Sequence, residues 1–493
     1  MNDVNRRKEK EMPRKDRPNI LVFLMDTQPV RNIGCYGYSK NTTPNIDKIA
    51  EEGAVYENHF GTGSWTVPSH ASLFTGEYQS GHGVGVQFEF MPDDYPTMPE
   101  ILERAGYQTV AFSNNSWVNQ DETNIARGWR DFTLVKRPKR QNVQVGPEDD
   151  FILDTNEDSG SLSTVKLVEE WLEKKWDRDK PFAMFINCIE PHLRVWAPQP
   201  FRDQFLTDGV TDEKAREVNQ DVFAERMGFV NRPGGHMTPE DWEILKMLYD
   251  GETACLDNRI GLLYNYLKQN GILDKTFLII TSDHGDLLDR VGMMGHHLSL
   301  FDDLIHIPLI MRYPSVVPKN KCIKHLVQNC DLLPTLIDFL GIDDDIAKEE
   351  IQGVSLVPTW DDHPVREFII AEYMKPLQTI ERALRRNVNF DYRPWLRRIK
   401  VLRTLDYKYH WYSDGQDMLF DINKEPGERN NIIDKNPEQA LKMKAILEKF
   451  LISLKKRDYG DKMRNSRFRN VRWDNVDKLK AWGIYREITQ VDK

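Results

Sequence analysis

Short apolar runs alternate with amphipathic helical stretches along the first 370 residues of the chain. This alternation predicts an α/β fold, a mostly parallel sheet sandwiched by helices. The predicted strands cover residues 20–25, 109–112, 182–188, 276–281 and 308–311. The predicted helices cover 45–52, 163–176 and 239–270, and the last has Thr238 as its N-cap and Pro239 at its first position.

The pattern changes after about residue 370. Residues 375–404 contain nine Lys or Arg and two Asp or Glu, and a predicted hairpin (407–412 and 418–421) and a helix (437–454) follow. We therefore divide the chain into a disordered tail (1–17), a main α/β domain (18–370), a smaller C-terminal α+β subdomain (371–455) and a basic C-terminal extension (456–493).

The net charge of −10 is unevenly distributed, because residues 455–493 alone carry twelve basic and six acidic groups. The acidic body argues against nucleic acid as a partner, and the basic extension is a candidate subunit contact in a homo-oligomer. No apolar run approaches the ~18 residues of a membrane helix, and the charged N-terminus lacks the pattern of a secretory signal. Five scattered cysteines form no CxxC pair, so a reducing, cytoplasmic location is expected.

Two acidic segments follow apolar strands, at the edge where open α/β sheets bind ligands. Asp26 directly follows ILVFLM, and Asp283 and His284 follow FLIITS. Asp26 is either a turn residue or a ligand for a hard cation. Asp283 belongs either to a helix cap or to a metal site, and carboxylate with imidazole suits Mn, Zn or Mg. A histidine at a strand end needs a partner, which favours the metal interpretation.

The segment SWTVPSHASLFTG (64–76) predicts a short helix that begins near Pro68 and ends at Gly76. Thr66 would lie at or just before its N-terminus, where free N–H groups and the helix dipole favour an anion. The competing interpretation is that Thr66 and Ser69 are helix caps. This segment taken alone favours the caps.

Further histidines occur in IEPH (His192) and in GHH (His296 and His297). A single histidine of this kind is usually a surface or packing residue. Several of them together with Asp26 and Asp283 indicate a binding constellation.

Five stretches of the sequence occur in a characteristic order. They are RPNILVFLMDT, GCYGY with TTPNIDKIAEEGAVYENHF, TVPSHASLFTG, LYDGETACLDNRIGLLYNYLKQNGILDKTFLIITSDHGD, and MLFDINKEPGERNNI. Together they span roughly residues 18–455 and resemble the sulfatase family within the alkaline-phosphatase superfamily. The resemblance implies an alkaline-phosphatase-like catalytic domain over 18–370.

The resemblance also implies roles for the residues at matching positions. The positions that match the metal site are Asp26, Thr66, Asp283 and His284. The positions that match catalytic groups are Thr66 (nucleophile), His70 (where a typical sulfatase has an arginine), His192 and His296 (anionic group or leaving group). The positions that match substrate contacts are Gln87, by similarity to phosphonate monoester hydrolases, and His297.

Two positions depart from the family pattern. A typical sulfatase has a cysteine, converted to formylglycine, where this chain has Thr66, so no formylglycine is expected. Threonine resembles instead the phosphotransferase branch, lipoteichoic acid synthases and phosphoethanolamine transferases, which are membrane enzymes. The usual aspartate pair after the first strand is here Asp26-Thr27, which leaves one strong ligand fewer and disfavours calcium. The implied cofactor is one divalent cation (Mn, Zn, Mg or Ca).

The threonine shapes the expected chemistry. A formylglycine hydrate releases sulfate by elimination, whereas a threonine ester must be hydrolysed by water. Metal-assisted attack at phosphorus is the familiar solution. The leading hypothesis is therefore a metal-dependent hydrolase of a small anionic phosphate or phosphonate ester, with Thr66 as nucleophile and His192 or His296 as proton donor.

Two alternatives remain at this stage. One is a sulfatase without formylglycine, in which Thr66 positions the attacking hydroxide. The other is an inactive sulfatase-like binding protein. The basic insert over 375–404 either borders the cleft and selects an anionic substrate or is a solvated face or subunit contact.

Overall fold

A computed structural model of the 493-residue chain describes residues 17–85, 89–136, 141–142, 151–152, 156–226, 237–290, 293–314, 316–374 and 393–455. Residues 1–16 of the predicted tail, residues 375–392 of the basic insert and the whole basic extension lie outside the described residues. Within the part that is described, no helix is both long enough and apolar enough to span a bilayer.

The strands of the described residues are given first. They are β1 (Asn19–Met25), β2 (Ala54–Phe60), β3 (Gln108–Ser113), β4 (Asp131–Leu134), β5 (Gln141–Asn142), β6 (Phe151–Ile152), β7 (Phe182–Cys188), β8 (Thr276–Ser282), β9 (Leu287–Arg290), β10 (Met293–Gly295), β11 (Leu309–Arg312), β12 (Lys321–Gln328), β13 (Ile369–Tyr373), β14 (Ile399–Arg403), β15 (Tyr407–Tyr412) and β16 (Met418–Asp421). Eight of them form the central sheet in the order β12-β2-β11-β8-β1-β7-β3-β4. All neighbours in this sheet are parallel except β11, which is antiparallel to both β2 and β8.

The α-helices of the described residues lie mainly on the two faces of this sheet. They are α1 (Pro44–Glu51), α2 (Thr66–Thr75), α3 (Gln79–His82), α4 (Met98–Arg104), α5 (Ser161–Lys174), α6 (Asp212–Arg226), α7 (Pro239–Gln269), α8 (Asp302–Ile305), α9 (Leu332–Leu340), α10 (Asp345–Glu350) and α11 (Pro437–Ser453). The Thr238 side chain caps α7 by accepting a hydrogen bond from the N–H of Asp241, as the sequence predicts.

Strand β1 lies at the middle of the sheet and is buried on both faces. Ile20, Val22 and Leu24 pack in the layer that contains α2, α4 and α9. Leu21 and Phe23 pack in the opposite layer, with α1, α5 and α7. Because both faces are covered, the strand is a continuous apolar run rather than an alternating one.

A smaller antiparallel sheet, β13-β14-β15-β16, forms the C-terminal part of the described chain. One of its faces packs against α11 through a cluster that includes Tyr409 and Leu447. Its other face packs against the main domain through Val401, which belongs to the same cluster as Phe60 and Leu300. The second sheet is therefore seated beside the loop that follows β10.

The α/β fold with an alkaline-phosphatase-like mostly parallel sheet, and the smaller α+β part, are confirmed. All five predicted strands of the main domain form, with ends within about two residues of those expected. The hairpin strands and the three predicted helices of the main domain also form. The sequence reasoning missed β2, β4, β12 and α9, and it did not indicate that β11 runs against its neighbours.

Candidate active site

The carboxyl ends of β1 and β8 bring the predicted acidic residues together. Met25 pairs with Ser282 in the register of these parallel strands, so Asp26 and Asp283 leave the sheet side by side. His284 Nε2 lies 3.3 Å from Asp283 Oδ2 and 3.9 Å from Asp26 Oδ1. All three side chains are fully buried, and their candidate ligand atoms lie within 4.8 Å of one another.

The protonation of His284 follows from its other ring nitrogen. Nδ1 lies 2.9 Å from the carbonyl oxygen of Gly285, which can only accept a hydrogen bond. Nδ1 therefore carries the proton, and Nε2 presents a lone pair towards the two carboxylates. A lone pair and two carboxylates that converge in a buried space form a group that could hold a cation.

The residues present fit a divalent metal ion. Two carboxylates and one imidazole are the donors that Mn, Zn or Mg bind. Oδ2 of Asp283 accepts no hydrogen bond from the described residues. Burial raises the pKa of Asp283 to about 7, although hydrogen bonds donated by the N–H groups of Thr27 and His284, and the neighbouring Thr66 side chain, act to lower it. A positive charge bound beside Asp283 would offset the cost of ionising this buried carboxyl.

Thr27 replaces a carboxylate in the family pattern and has an unusual backbone. Its φ of 59° lies in the left-handed region, which is costly for a β-branched residue and typical of functional turns. This conformation directs its N–H to Asp283 Oδ1, at 3.2 Å. Tyr249 holds the turn from behind, because its hydroxyl donates to the carbonyl of Thr27.

The segment that contains Thr66 forms the first turn of α2. The helix begins at Thr66, two residues earlier than predicted, and Gly76 closes it with φ 70°. The N-cap is Trp65, and neither Thr66 nor Ser69 caps the helix. The Thr66 side chain instead lies near Asp283, where it lowers the pKa of that carboxyl, and the Ser69 hydroxyl donates to the carbonyl oxygen of Asp283 at 2.7 Å. The cap interpretation is therefore wrong for both hydroxyls.

His70 lies one turn further along α2 and is fully buried. Its Nδ1 is 2.9 Å from the carbonyl oxygen of Thr66 and 3.6 Å from Asp283 Oδ2. Its ring packs edge-on against Phe74 and Phe185. Burial lowers the pKa of His70 to about 3, so at neutral pH this side chain supports the Thr66 turn as a neutral group.

The rings of the other predicted histidines contact one another at tilted or edge-on angles beside the acidic residues. The ring centroid of His296 lies 4.5 Å from that of His284, 4.5 Å from that of His297 and 5.0 Å from that of His192. His296 Nδ1 lies 3.3 Å from Oδ1 of the buried Asp286. The structure therefore brings all of the predicted site residues that it describes into one place. Gln87 lies outside the described residues.

Four residues of this site were not assigned a role from the sequence. Asn115 Nδ2 donates to Asp26 Oδ2 at 2.5 Å, from the end of β3. Asp286 orients His296. Trp65 and Trp117 stand beside the nucleophile segment, with ring centroids 6.3 Å apart. The only sequence signal was position, since Asn115 follows a strand and Asp286 ends the DHGD motif.

Two family models match this chain. A model described as "Sulfatase" matches residues 18–342, and a model described as "N-sulphoglucosamine sulphohydrolase, C-terminal" matches residues 296–457. The chain is 24% identical over 512 residues to an N-acetylglucosamine-6-O-sulfatase of Bacteroides thetaiotaomicron, covering 90% of this chain and 87% of that protein.

Two solved structures resemble the fold. One is a protein in complex with its substrate D-glucosamine-2-N,6-O-disulfate, with a TM-score of 0.67, 21% identity, and coverage of 88% of this chain and 97% of that one. The other is a phosphonate monoester hydrolase of Agrobacterium radiobacter, with a TM-score of 0.69, 20% identity, and coverage of 88% and 95%.

Proposed function

The chain belongs to the sulfatase family of ester hydrolases, and we propose that it is a metal-dependent hydrolase of phosphate or phosphonate esters that uses Thr66 as nucleophile. The observation that carries this proposal is the position of the Thr66 hydroxyl. The Thr66 side chain does not cap α2, and it lies close enough to Asp283 to lower the pKa of that carboxyl.

Asp26, Asp283 and His284, with the Thr66 oxygen, would hold one divalent cation. When bound, that cation supplies the positive charge that lowers the pKa of the Thr66 hydroxyl and offsets the charge of the ester. The N-terminus of α2 adds partial positive charge at the same point, because Thr66 is the first residue of this ten-residue helix.

The reaction proceeds in two steps. The Thr66 hydroxyl loses its proton to solvent water and its oxygen attacks phosphorus in line, the bond from phosphorus to the leaving oxygen breaks, and His296 in its imidazolium form gives that oxygen a proton. Because Asp286 accepts from His296 Nδ1, the proton given is the one on Nε2. Water then attacks phosphorus and gives a proton to His296 Nε2, the bond from phosphorus to the Thr66 oxygen breaks, and that oxygen takes a proton from solvent water.

The choice of phosphorus over sulfur rests on the second step. A threonine ester has no elimination route, so water must displace the Thr66 oxygen. The structural likeness to a phosphonate monoester hydrolase supports this choice. The relatives with sulfatase names favour the second candidate, a sulfate ester.

A panel of 4-nitrophenyl esters tests the proposal, because one leaving group is shared by the phosphate, methylphosphonate, phenyl phosphodiester and sulfate. Each ester is assayed with Mn, Zn, Mg and Ca on the metal-stripped protein. We expect one of the phosphorus esters to have the highest kcat/KM. A sulfate ester in first place would favour the second candidate. No turnover of any ester, with metal bound, would favour an inactive binding protein.

A further inference from the structure

The side chains beside the acidic residues are linked to one another by a series of contacts that we call the circuit. Its first half is a series of rings that starts at the metal-binding position. His284 is followed by His296 and His297 at centroid distances of 4.5 Å each, and His297 is followed by Trp65 at 6.4 Å. Trp65 directly precedes the nucleophile, so this arc returns to Thr66.

The second half of the circuit leads from Trp65 back to Asp26. The Trp117 ring stands edge-on to the Trp65 ring at 6.3 Å. The backbone N–H of Trp117 donates to Asn115 Oδ1 at 2.9 Å, and Asn115 Nδ2 donates to Asp26 Oδ2. This circuit of contacts therefore connects Trp65 and Trp117 to the acidic residues.

The members of the circuit differ in exposure. Asp26, His284 and Asn115, which we call the floor, are buried. Trp65, Trp117 and His297 are only partly buried. The part of the circuit that reaches solvent is thus made of three aromatic rings, which we call the aromatic rim. These are the rings available to the alcohol part of an ester whose anionic head binds at the floor.

We propose that Trp65 and Trp117 determine specificity for the leaving group, by binding the face of a six-membered ring in the alcohol part of the ester. Indole faces stack on aromatic rings and on the C–H faces of saturated rings, and they offer an acyclic alkyl group much less contact. This inference rests on the proposed hydrolysis of an ester at this site, but not on the choice between phosphorus and sulfur.

Hydrolytically inert anions separate the rim from the chemistry. Phenylphosphonate, cyclohexylphosphonate and ethylphosphonate share one head group and are titrated by calorimetry into the metal-loaded full chain. Benzenesulfonate and ethanesulfonate repeat the comparison for the second head group. We expect the ring compounds of whichever head binds to be bound about tenfold more tightly than the ethyl compound. The cyclohexyl compound shows whether aromaticity or ring shape is selected.

The variants assign this preference to residues. Trp65→Ala and Trp117→Ala should each reduce the ring-to-ethyl ratio towards one, and Trp65→Phe should keep most of it. Trp176→Ala is the matched control, because Trp176 is also partly exposed but packs on Phe182, at the opposite end of β7. Unchanged ethyl affinity shows that each variant is folded.

Two results would overturn the inference. If phenyl and ethyl compounds bind equally to the wild-type chain, the rim selects nothing, while the proposed function stands. If no anion of either series binds, both the rim and the anion-binding floor are misassigned, and the ester panel then reports separately on the proposed function.

Discussion

Two groups of carboxylates in this molecule differ in the side chains that offset their negative charge. In the active-site group, the ion-pair contacts of Asp283 are to the imidazoles of His70 and His284. In the second group, which we call the junction group, Lys408 of the small sheet contacts both Asp302 and Glu428 at 2.7 Å. The junction group carries its own cations, whereas the active-site group is built from acids and imidazoles.

The pKa values follow this difference. Burial raises the pKa of Asp283 to about 7. Burial also acts to raise the pKa of Asp302, yet Lys408 and Arg403 hold it well below its ordinary value. His70 cannot replace those cations, because its own pKa is lowered to about 3 by burial. Burial that is offset by Lys408 and Arg403 thus stabilises the fold at the junction, whereas burial without such cations leaves an unmet demand for positive charge at the active site.

The largest expected effect comes from removing the Asp283 carboxylate, which we propose as a metal ligand. Asp283→Ala should abolish divalent metal binding and reduce turnover by about 10³-fold or more, since an anionic ligand is lost. Metal content by mass spectrometry of the dialysed protein and kcat on the best ester of the panel are the measurements. The junction variant Asp302→Asn is the control and should keep its metal. Full metal occupancy in Asp283→Ala would place the metal site elsewhere.

The next effect concerns the hydroxyl that enters the acidic group. Thr66→Ala should lower kcat by about 10³-fold. Thr75→Ala is a matched control, since Thr75 lies in the same helix, is buried and donates to the carbonyl of Ala71. Thr66→Ser should keep partial activity, and phosphothreonine trapped at residue 66 would establish the covalent step. A Thr66→Ala enzyme with normal turnover and metal content would exclude Thr66 as nucleophile.

At the junction the missing charge should cost stability instead of activity. Lys408→Met leaves the buried Glu428 and the partly buried Asp302 without their shared cation, and it also removes a donor to the carbonyl of Leu300. The expected loss is about 3–5 kcal/mol in the free energy of unfolding, measured by urea denaturation. Metal stoichiometry should not change. A stable Lys408→Met protein would mean that the two carboxylates find other partners or take up protons.

The comparison also marks what the sequence could predict. Asp26 and Asp283 each follow an apolar strand, so local pattern and strand-end logic were enough to place them together. Asn115 is 89 positions from Asp26, and no local pattern links an asparagine after β3 to an aspartate after β1. The reversed β11 was likewise invisible, because an apolar run carries no direction.

The junction group shows the same limit for charges. Lys408 and Asp302 are 106 positions apart, and each looks like an ordinary surface residue in the sequence. Which carboxylates acquire a cation is decided by tertiary contacts between the two sheets. The predicted roles of Gln87 and of the basic insert and extension stay predictions.

The smallest expected effect is a change in the free energy of unfolding on Asp→Asn substitution, and its sign should differ between the two groups. In metal-stripped protein at pH 8, Asp283→Asn should raise the free energy of unfolding by on the order of 1 kcal/mol. The raised pKa of Asp283 means that ionisation disfavours the folded state, so stability without metal falls as the pH rises from about 4 to about 7. An asparagine keeps the oxygen that accepts from Thr27, and its amide can donate to His284 Nε2.

Asp302→Asn should act in the opposite direction. The lowered pKa of Asp302 means that its ionised form stabilises the fold above its ordinary pKa, so removing the charge leaves Lys408 with one partner fewer at pH 8. Adding the metal should then reverse the order at the active site. Wild-type protein should gain about 2.7 kcal/mol at a metal concentration of one hundred times Kd, and Asp283→Asn should gain little. If Asp283→Asn destabilises the metal-stripped protein as Asp302→Asn does, the active-site carboxylates are already compensated within the chain, and the case for a resident cation loses its physical basis.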